Sequence, residues 1–189
     1  MCGTKDETVA HIVSECPKLA QKEYKNLRHD NVAKVIHWKL CEKWGFEKAE
    51  KWYMHQPERV LESEDCKILW DFPLQTDKQL EHNRPDITVV EKKDKSCKFI
   101  DPSCPFDTRI AKKEEEKCTN YIDLKYEIAR IWKMKKVDVI PVVIGALGTV
   151  TKNFDKWLEK LELDLTVEML QRPCLLGTAR IIRKVLDIK

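Results

Sequence analysis

The 189-residue sequence has no apolar stretch approaching the roughly 20 residues that a membrane-spanning helix needs. Its longest, Val137 to Val150, is broken by Asp138, Pro141 and two glycines. No apolar segment of the signal-peptide type stands near the start, which argues for a reducing compartment and free thiols at the eight cysteines. Charge of one sign is not in large excess either. The formal net charge is +3, so the chain carries no global polyanion-binding signal. Internal repeats and low-complexity tracts are absent as well.

What is present fits a single α/β domain with an appendage. Hydrophobic residues make up 42% of the chain, enough for a core, and charged residues 35%, which is high for a small globular protein. Lysines gather at Lys92-Lys93 with Lys95, at Lys112-Lys113, and at Lys133 with Lys135-Lys136. Such runs taken alone describe solvated faces.

Periodicity sets out the elements. Asp6 to Ser14 suits a short helix before Pro17. From Leu19 to Trp44 the pattern is helical, with Val32, Val35, Ile36 and Leu40 on one face and Gly45 as the stop. Residues 46–66 are polar and aromatic and read as a loop or short helix. Cys66 to Phe72 reads as a strand, and a long helix is expected from Thr108 to Lys135. Val137 to Ile144 is a continuous β-branched run, so a buried strand, which Pro141 assigns to an edge or a bulge. Asn153 to Leu163 and Thr166 to Leu186 look helical, with Pro173 expected to kink or split the second. The order predicts a mixed sheet flanked by helices, with chemistry at the strand ends.

The most informative stretch is Arg84-Pro85-Asp86-Ile87-Thr88-Val89-Val90, a polar middle, and Cys97-Lys98-Phe99-Ile100-Asp101. Two apolar arms around a charged turn make a hairpin. A turn centred near Lys93-Asp94 sets Asp86 opposite Asp101, where Cβ atoms lie about 4.5–5.5 Å apart. Two like charges so close require something positive between them, and a divalent cation suits carboxylate oxygens. A pair of this kind can hold Mg²⁺, which orients water and stabilises charge on a phosphate. A lysine two residues after the second acid would complete the compact form of such a site, but Ser103 stands there. Lys112, Lys113 and Lys117 on the following helix are the alternatives, and Lys117 shares a face with Tyr121 and Leu124.

Four blocks resemble the C-terminal part of polyproteins from non-LTR retrotransposons that carry a restriction-like endonuclease. They are Cys2, His11 and Cys16-Pro17; Arg28-His29-Asp30 entering a helix with Ile36-His37-Trp38-Lys39-Leu40-Cys41; Arg84-Pro85-Asp86, Ile100-Asp101 and Pro105-Phe106-Asp107; and Val139 to Val150. Leu176-Gly177-Thr178-Ala179-Arg180 extends the match. The resemblance implies a PD-(D/E)XK restriction-endonuclease-like core whose enzyme nicks target DNA to prime reverse transcription. By motif, Asp86 and Asp101 would bind Mg²⁺ (or Mn²⁺), Lys117 would be the displaced catalytic lysine, and His29 would lie beside the site. It also implies a zinc knuckle at Cys2, His11 and Cys16 whose ligand set is incomplete, since a knuckle needs four ligands.

Expected domains are then a partial CCHC knuckle over 1–17, the endonuclease core over 18–150 and a C-terminal helical extension over 151–189. The implied partners are a double-stranded DNA target, element RNA and an upstream reverse transcriptase region, with no membrane and a nuclear location. The polymerase's own acids have no counterpart in these residues. Asn120 stands where the family has a second lysine before Tyr121, which keeps open a decayed or repurposed DNA-binding module. Cys41, Cys66, Cys97, Cys104, Cys118 and Cys174 lack ligand spacing and read as packing residues, with Cys104 near the acids.

Overall fold

A computed structural model describes residues 2–3 and 6–186; the outermost parts of the two end segments lie outside that range. Five strands form one mixed sheet in the order β1 (Val60–Glu62), β2 (Cys66–Trp70), β3 (Ile87–Glu91), β4 (Ser96–Ser103) and β5 (Lys136–Val143). The first four pair antiparallel, and β5 runs parallel to β4. The parallel pair needs a crossover, and α3 (Ile110–Asn120) with α4 (Ile122–Ile131) supplies it.

Both faces of the sheet are covered, so its central strands carry apolar side chains in both directions. One face packs Ile87, Val89, Ile100 and Ile140 against α2 (Asp30–Trp44), α5 (Phe154–Leu161) and α6 (Val167–Val185). The other packs Val90, Phe99 and Val137 against Tyr121, Leu124 and Ile128 of the α3–α4 layer. Phe154, Leu158, Leu170 and Cys174, all from the segment read as an extension, belong to the first core. Among the described residues no helix is long and apolar enough to cross a membrane.

Several expectations change in detail. The long helix breaks at Tyr121, which has φ −102° and ψ 9°, although neither glycine nor proline is present. Tertiary packing causes the break: Tyr121 is buried against Phe99, and its hydroxyl donates to the Arg84 carbonyl at 3.3 Å. The second half ends at Ile131 instead of Lys135, because Lys133 takes a left-handed conformation (φ 53°) and Met134 N donates back to Ala129 O. Gly45 ends α2 in the expected left-handed conformation at φ 68°. Pro173 neither splits nor ends α6. Leu170 and Cys174, fully buried on either side of it, anchor the helix against a proline cost of about 3 kcal/mol. Pro141 lies on the edge strand β5, where a missing N–H is tolerated. The 46–66 region holds a 3₁₀ turn (Trp52–Met54) and the short strand β1.

Ahead of α2 lie a π-helical turn (His11–Glu15), the short α1 (Pro17–Leu19) and a π-helical stretch (Ala20–His29). The wide π turns meet α6 at Gly177. A Cβ there would come 2.2 Å from the Leu27 carbonyl and 2.4 Å from Arg28 Cγ, so only glycine permits this approach. The approach buries Arg28 almost completely, with Nη1 donating to Thr178 Oγ1 at 3.2 Å and the guanidinium 4.8 Å from the Tyr24 ring centroid.

Candidate metal and nucleic-acid site

The hairpin register pairs Ile87 with Ile100, so the next residues outward, Asp86 and Asp101, oppose each other. Side-chain alternation directs both toward the α3–α4 layer, since Val90 and Phe99 point that way. From α3, Lys117 reaches Asp101: its Nζ lies 2.7 Å from Oδ2. From the end of the π-helical stretch, His29 Nε2 lies 3.0 Å from Asp86 Oδ2, while its Nδ1 lies 2.9 Å from Asp30 Oδ1. Four side chains from separate parts of the chain therefore meet at one end of the sheet.

They face a cleft of about 440 Å³, walled by Tyr24 and Lys25 on one side and by Lys113, Lys117 and Tyr121 on the other. Arg84 also reaches it, held by Asp71 through an Nε–Oδ1 contact of 2.7 Å and an Nη2 hydrogen bond of 2.9 Å to Oδ2. Lys113 pairs with Glu116 at 2.6 Å. Cations thus outnumber the two acids around the opening.

The acids are unlike one another. Burial raises the pKa of Asp101, and the adjoining charge of Asp86 raises it further; Lys117 offsets only part of this. Burial acts in the same direction on Asp86, but hydrogen bonds from Asp101 and His29 outweigh it and hold Asp86 below the usual carboxylate range. Below about pH 7 the pair therefore keeps a proton, which Asp101 carries toward Asp86. Burial opposes charge on His29 too, yet its bonds to Asp30 and Asp86 push its pKa up to about 10. His29 is therefore an imidazolium at neutral pH, clasped between two carboxylates.

The donor chemistry fits a hard divalent cation. Two carboxylates supply oxygen ligands, and cations such as Mg²⁺ take one or two of these and leave the rest to water and substrate. Asp101 Oδ2 is buried and in ion contact with Lys117, which holds its carboxylate at the cleft beside that of Asp86. Glu127, a further carboxylate on the crossover helices, instead pairs with Arg130 at 2.9 Å. Cys104 also lines the cleft, but Cys174 and burial raise its pKa well above the usual thiol value, so it remains a protonated, weak nucleophile.

Near the start of the chain, Cys2, His11 and Cys16 bring their donor atoms within 4.8 Å of one another, an arrangement compatible with zinc. Cys2 Sγ lies 3.1 Å from His11 Nε2. Tyr24 ties this cluster to the cleft: its hydroxyl donates to Ile12 O at 2.7 Å and accepts from Cys16 N at 3.0 Å.

The chain matches no protein-family model and no curated protein sequence.

Two features escaped the sequence pattern. One is the clamp formed by Asp107. Its carboxylate accepts from Leu147 N at 2.8 Å and Thr149 N at 3.0 Å, and a Cβ on Gly145 would come 2.4 Å from its Oδ1. This links Pro105-Phe106-Asp107 to Gly145–Thr149 and fixes the loop that follows β5. The other is a second cluster compatible with zinc, formed by His37, Cys41 and His55. His37 and Cys41 are four residues apart on one helical face, a spacing that could have flagged them; His55 arrives from an irregular segment and carries no such signal.

Proposed function

We propose that this chain is a metal-dependent DNA endonuclease domain with a PD-(D/E)XK-type core, of the kind found at the C-terminal end of non-LTR retrotransposon polyproteins. The single observation that carries the reading is the meeting of Asp86, Asp101 and Lys117 at one sheet end. In this proposal Asp86 and Asp101 hold Mg²⁺ or Mn²⁺, giving up their shared proton as they do so. The cation supplies charge stabilisation on the scissile phosphate and lowers the pKa of the attacking water. Lys117 places its ammonium where a phosphoryl oxygen gains negative charge. His29, charged and fixed by Asp30, orients the Asp86 carboxylate.

The basic lining of the cleft supports a polyanionic substrate. Lys25, Lys113 and Lys117 meet a nucleic-acid backbone as phosphate contacts, which position a duplex without reading its sequence. Double-stranded DNA is the partner, element RNA and an upstream reverse transcriptase region are the further ones, and the nucleus is the site of action.

Supercoiled plasmid incubated with the full chain and Mg²⁺ or Mn²⁺ tests this. Nicking that disappears in Asp86→Ala and in Asp101→Ala supports the proposal, and equal nicking by all three chains sinks it. Asn120, before Tyr121, favours one alternative, a module that holds DNA without cutting it. Its signature is salt-dependent binding with no metal-dependent cleavage.

A further inference from the structure

The His37, Cys41 and His55 cluster shares no residue with the acidic cleft. We propose that these three side chains are the protein ligands of a zinc ion that fastens the 46–55 segment onto α2, with water in the fourth position.

Donor geometry is the first support. His37 Nδ1 lies 2.8 Å from His55 Nε2 and 3.5 Å from Cys41 Sγ, and the three donor atoms fall within 4.8 Å of one another. Zinc bonds of about 2.0–2.1 Å to nitrogen and about 2.3 Å to sulfur make tetrahedral edges of roughly 3.3–3.6 Å. The thiol-to-imidazole separation already matches such an edge. The two imidazoles need to part by about half an ångström, within reach of a small change in ring torsion.

Burial is the second. All three residues are buried, His37 and Cys41 completely. Buried imidazoles normally find a carboxylate or carbonyl partner. Among the described residues, the polar contacts of His37 run to His55 and Cys41, both through Nδ1, and its ring stands edge-on to Trp70 at 5.5 Å. His37 Nδ1, His55 Nε2 and Cys41 Sγ thus converge on one another as the donors of a metal site do.

Charge is the third. A cleft of about 300 Å³ opens over His37 and His55, and Glu58 lines it. One thiolate at the ion and the Glu58 carboxylate nearby, whose charge acts on both Cys41 and His55, offset the two charges of zinc.

The architecture gives the ion a purpose. Between Phe46 and β1 the chain has only the 3₁₀ turn Trp52–Met54. It is tied to α2 by Trp38 Nε1 donating to Ala49 O at 2.7 Å and by Lys48 Nζ 4.0 Å from the Trp38 ring centroid. A zinc ion would bind the far end of the same segment to the same helix, joining ligands four and eighteen residues from His37.

The test uses the full chain carrying Cys2→Ser and Cys16→Ser, which removes the N-terminal thiols from the count. Elemental analysis after purification with zinc is expected to give one zinc per chain in this background, and cobalt replacement to give thiolate-to-cobalt absorption. Adding Cys41→Ser should remove both. Should Cys41→Ser not fold, His55→Gln takes its place, and re-adding zinc to the chelated background protein should raise its Tm. A background chain that holds no zinc, a Tm indifferent to zinc, or zinc retained without Cys41 and His55 would each overturn the proposal. DNA nicking plays no part in these readouts, so the two proposals fail separately.

Discussion

Lys117 and Asp101 stand 2.7 Å apart although they belong to different layers, a sheet end and the helix that crosses over it. Asp101 is buried and Lys117 half-buried, which makes this more than a surface ion pair and holds the ammonium beside the proposed cation. Lys117→Met is therefore expected to lower kcat for plasmid nicking by about 10²–10³-fold, the usual cost of one transition-state donor. DNA affinity measured in EDTA should fall far less, by the loss of one phosphate contact among several. Equal kcat in the variant would remove Lys117 from the chemistry.

His29 supplies a pH signature. Its pKa rises from the ordinary value of 6.5 to about 10 in the folded chain, so folding favours its charged form. The stabilisation it brings is fully present below 6.5 and is lost as pH rises through about 10. Urea unfolding of the wild type and of His29→Gln should differ most near pH 6, and the difference should shrink between pH 7 and 10. A constant difference would mean that folding leaves the pKa of His29 unshifted.

Asp101 has the opposite consequence for a carboxylate. With its folded pKa raised, the folded chain retains a proton that the unfolded chain releases above about pH 4, and stability falls as pH rises through that range toward neutrality. In EDTA, Asp101→Asn should gain on the wild type as pH increases from 4 to 7. Adding Mg²⁺ at pH 8 should stabilise the wild type and leave the variant unmoved. Identical pH profiles would deny that the acids share a proton.

Gly177→Ala tests the close approach of α6 to the π-helical stretch. The new methyl would meet the Leu27 carbonyl at 2.2 Å, which the backbone must relieve by moving. A loss of about 1–3 kcal/mol in urea unfolding is expected, in line with overpacked sites. The displaced Arg28–His29 segment should also weaken DNA binding. Unchanged stability would mean that the two helices are free to separate.

Much of this arrangement was legible in the sequence, where local chemistry was decisive. The hairpin register followed from two apolar arms and a turn at Lys93-Asp94, and the observed pairing of Ile87 with Ile100 is the one that this turn dictates. Gly45 and Pro141 act through their own backbones, so the end of α2 and the edge position of β5 could be anticipated. Features set by distant contacts could not. The break at Tyr121 arises from its seat against Phe99, and the end of α4 uses a left-handed lysine where glycine would have been the signal. β1 is three residues long with no fully buried member, so it had no alternation to read. The uninterrupted α6 shows burial overriding the proline rule. His55 joins His37 only because an irregular segment folds back on α2, and spacing along the chain says nothing of that.

The glycine contact between α6 and the π-helical stretch bears on how this molecule can be shortened. Tyr24, Lys25 and His29 form one bank of the channel, and the moorings of that bank are near the opposite terminus. A chain stopped at Thr166 would retain every strand and both acids, yet its channel would lose a side. Trimming by following the sheet alone would thus discard the bank that carries His29, so both ends have to be carried together.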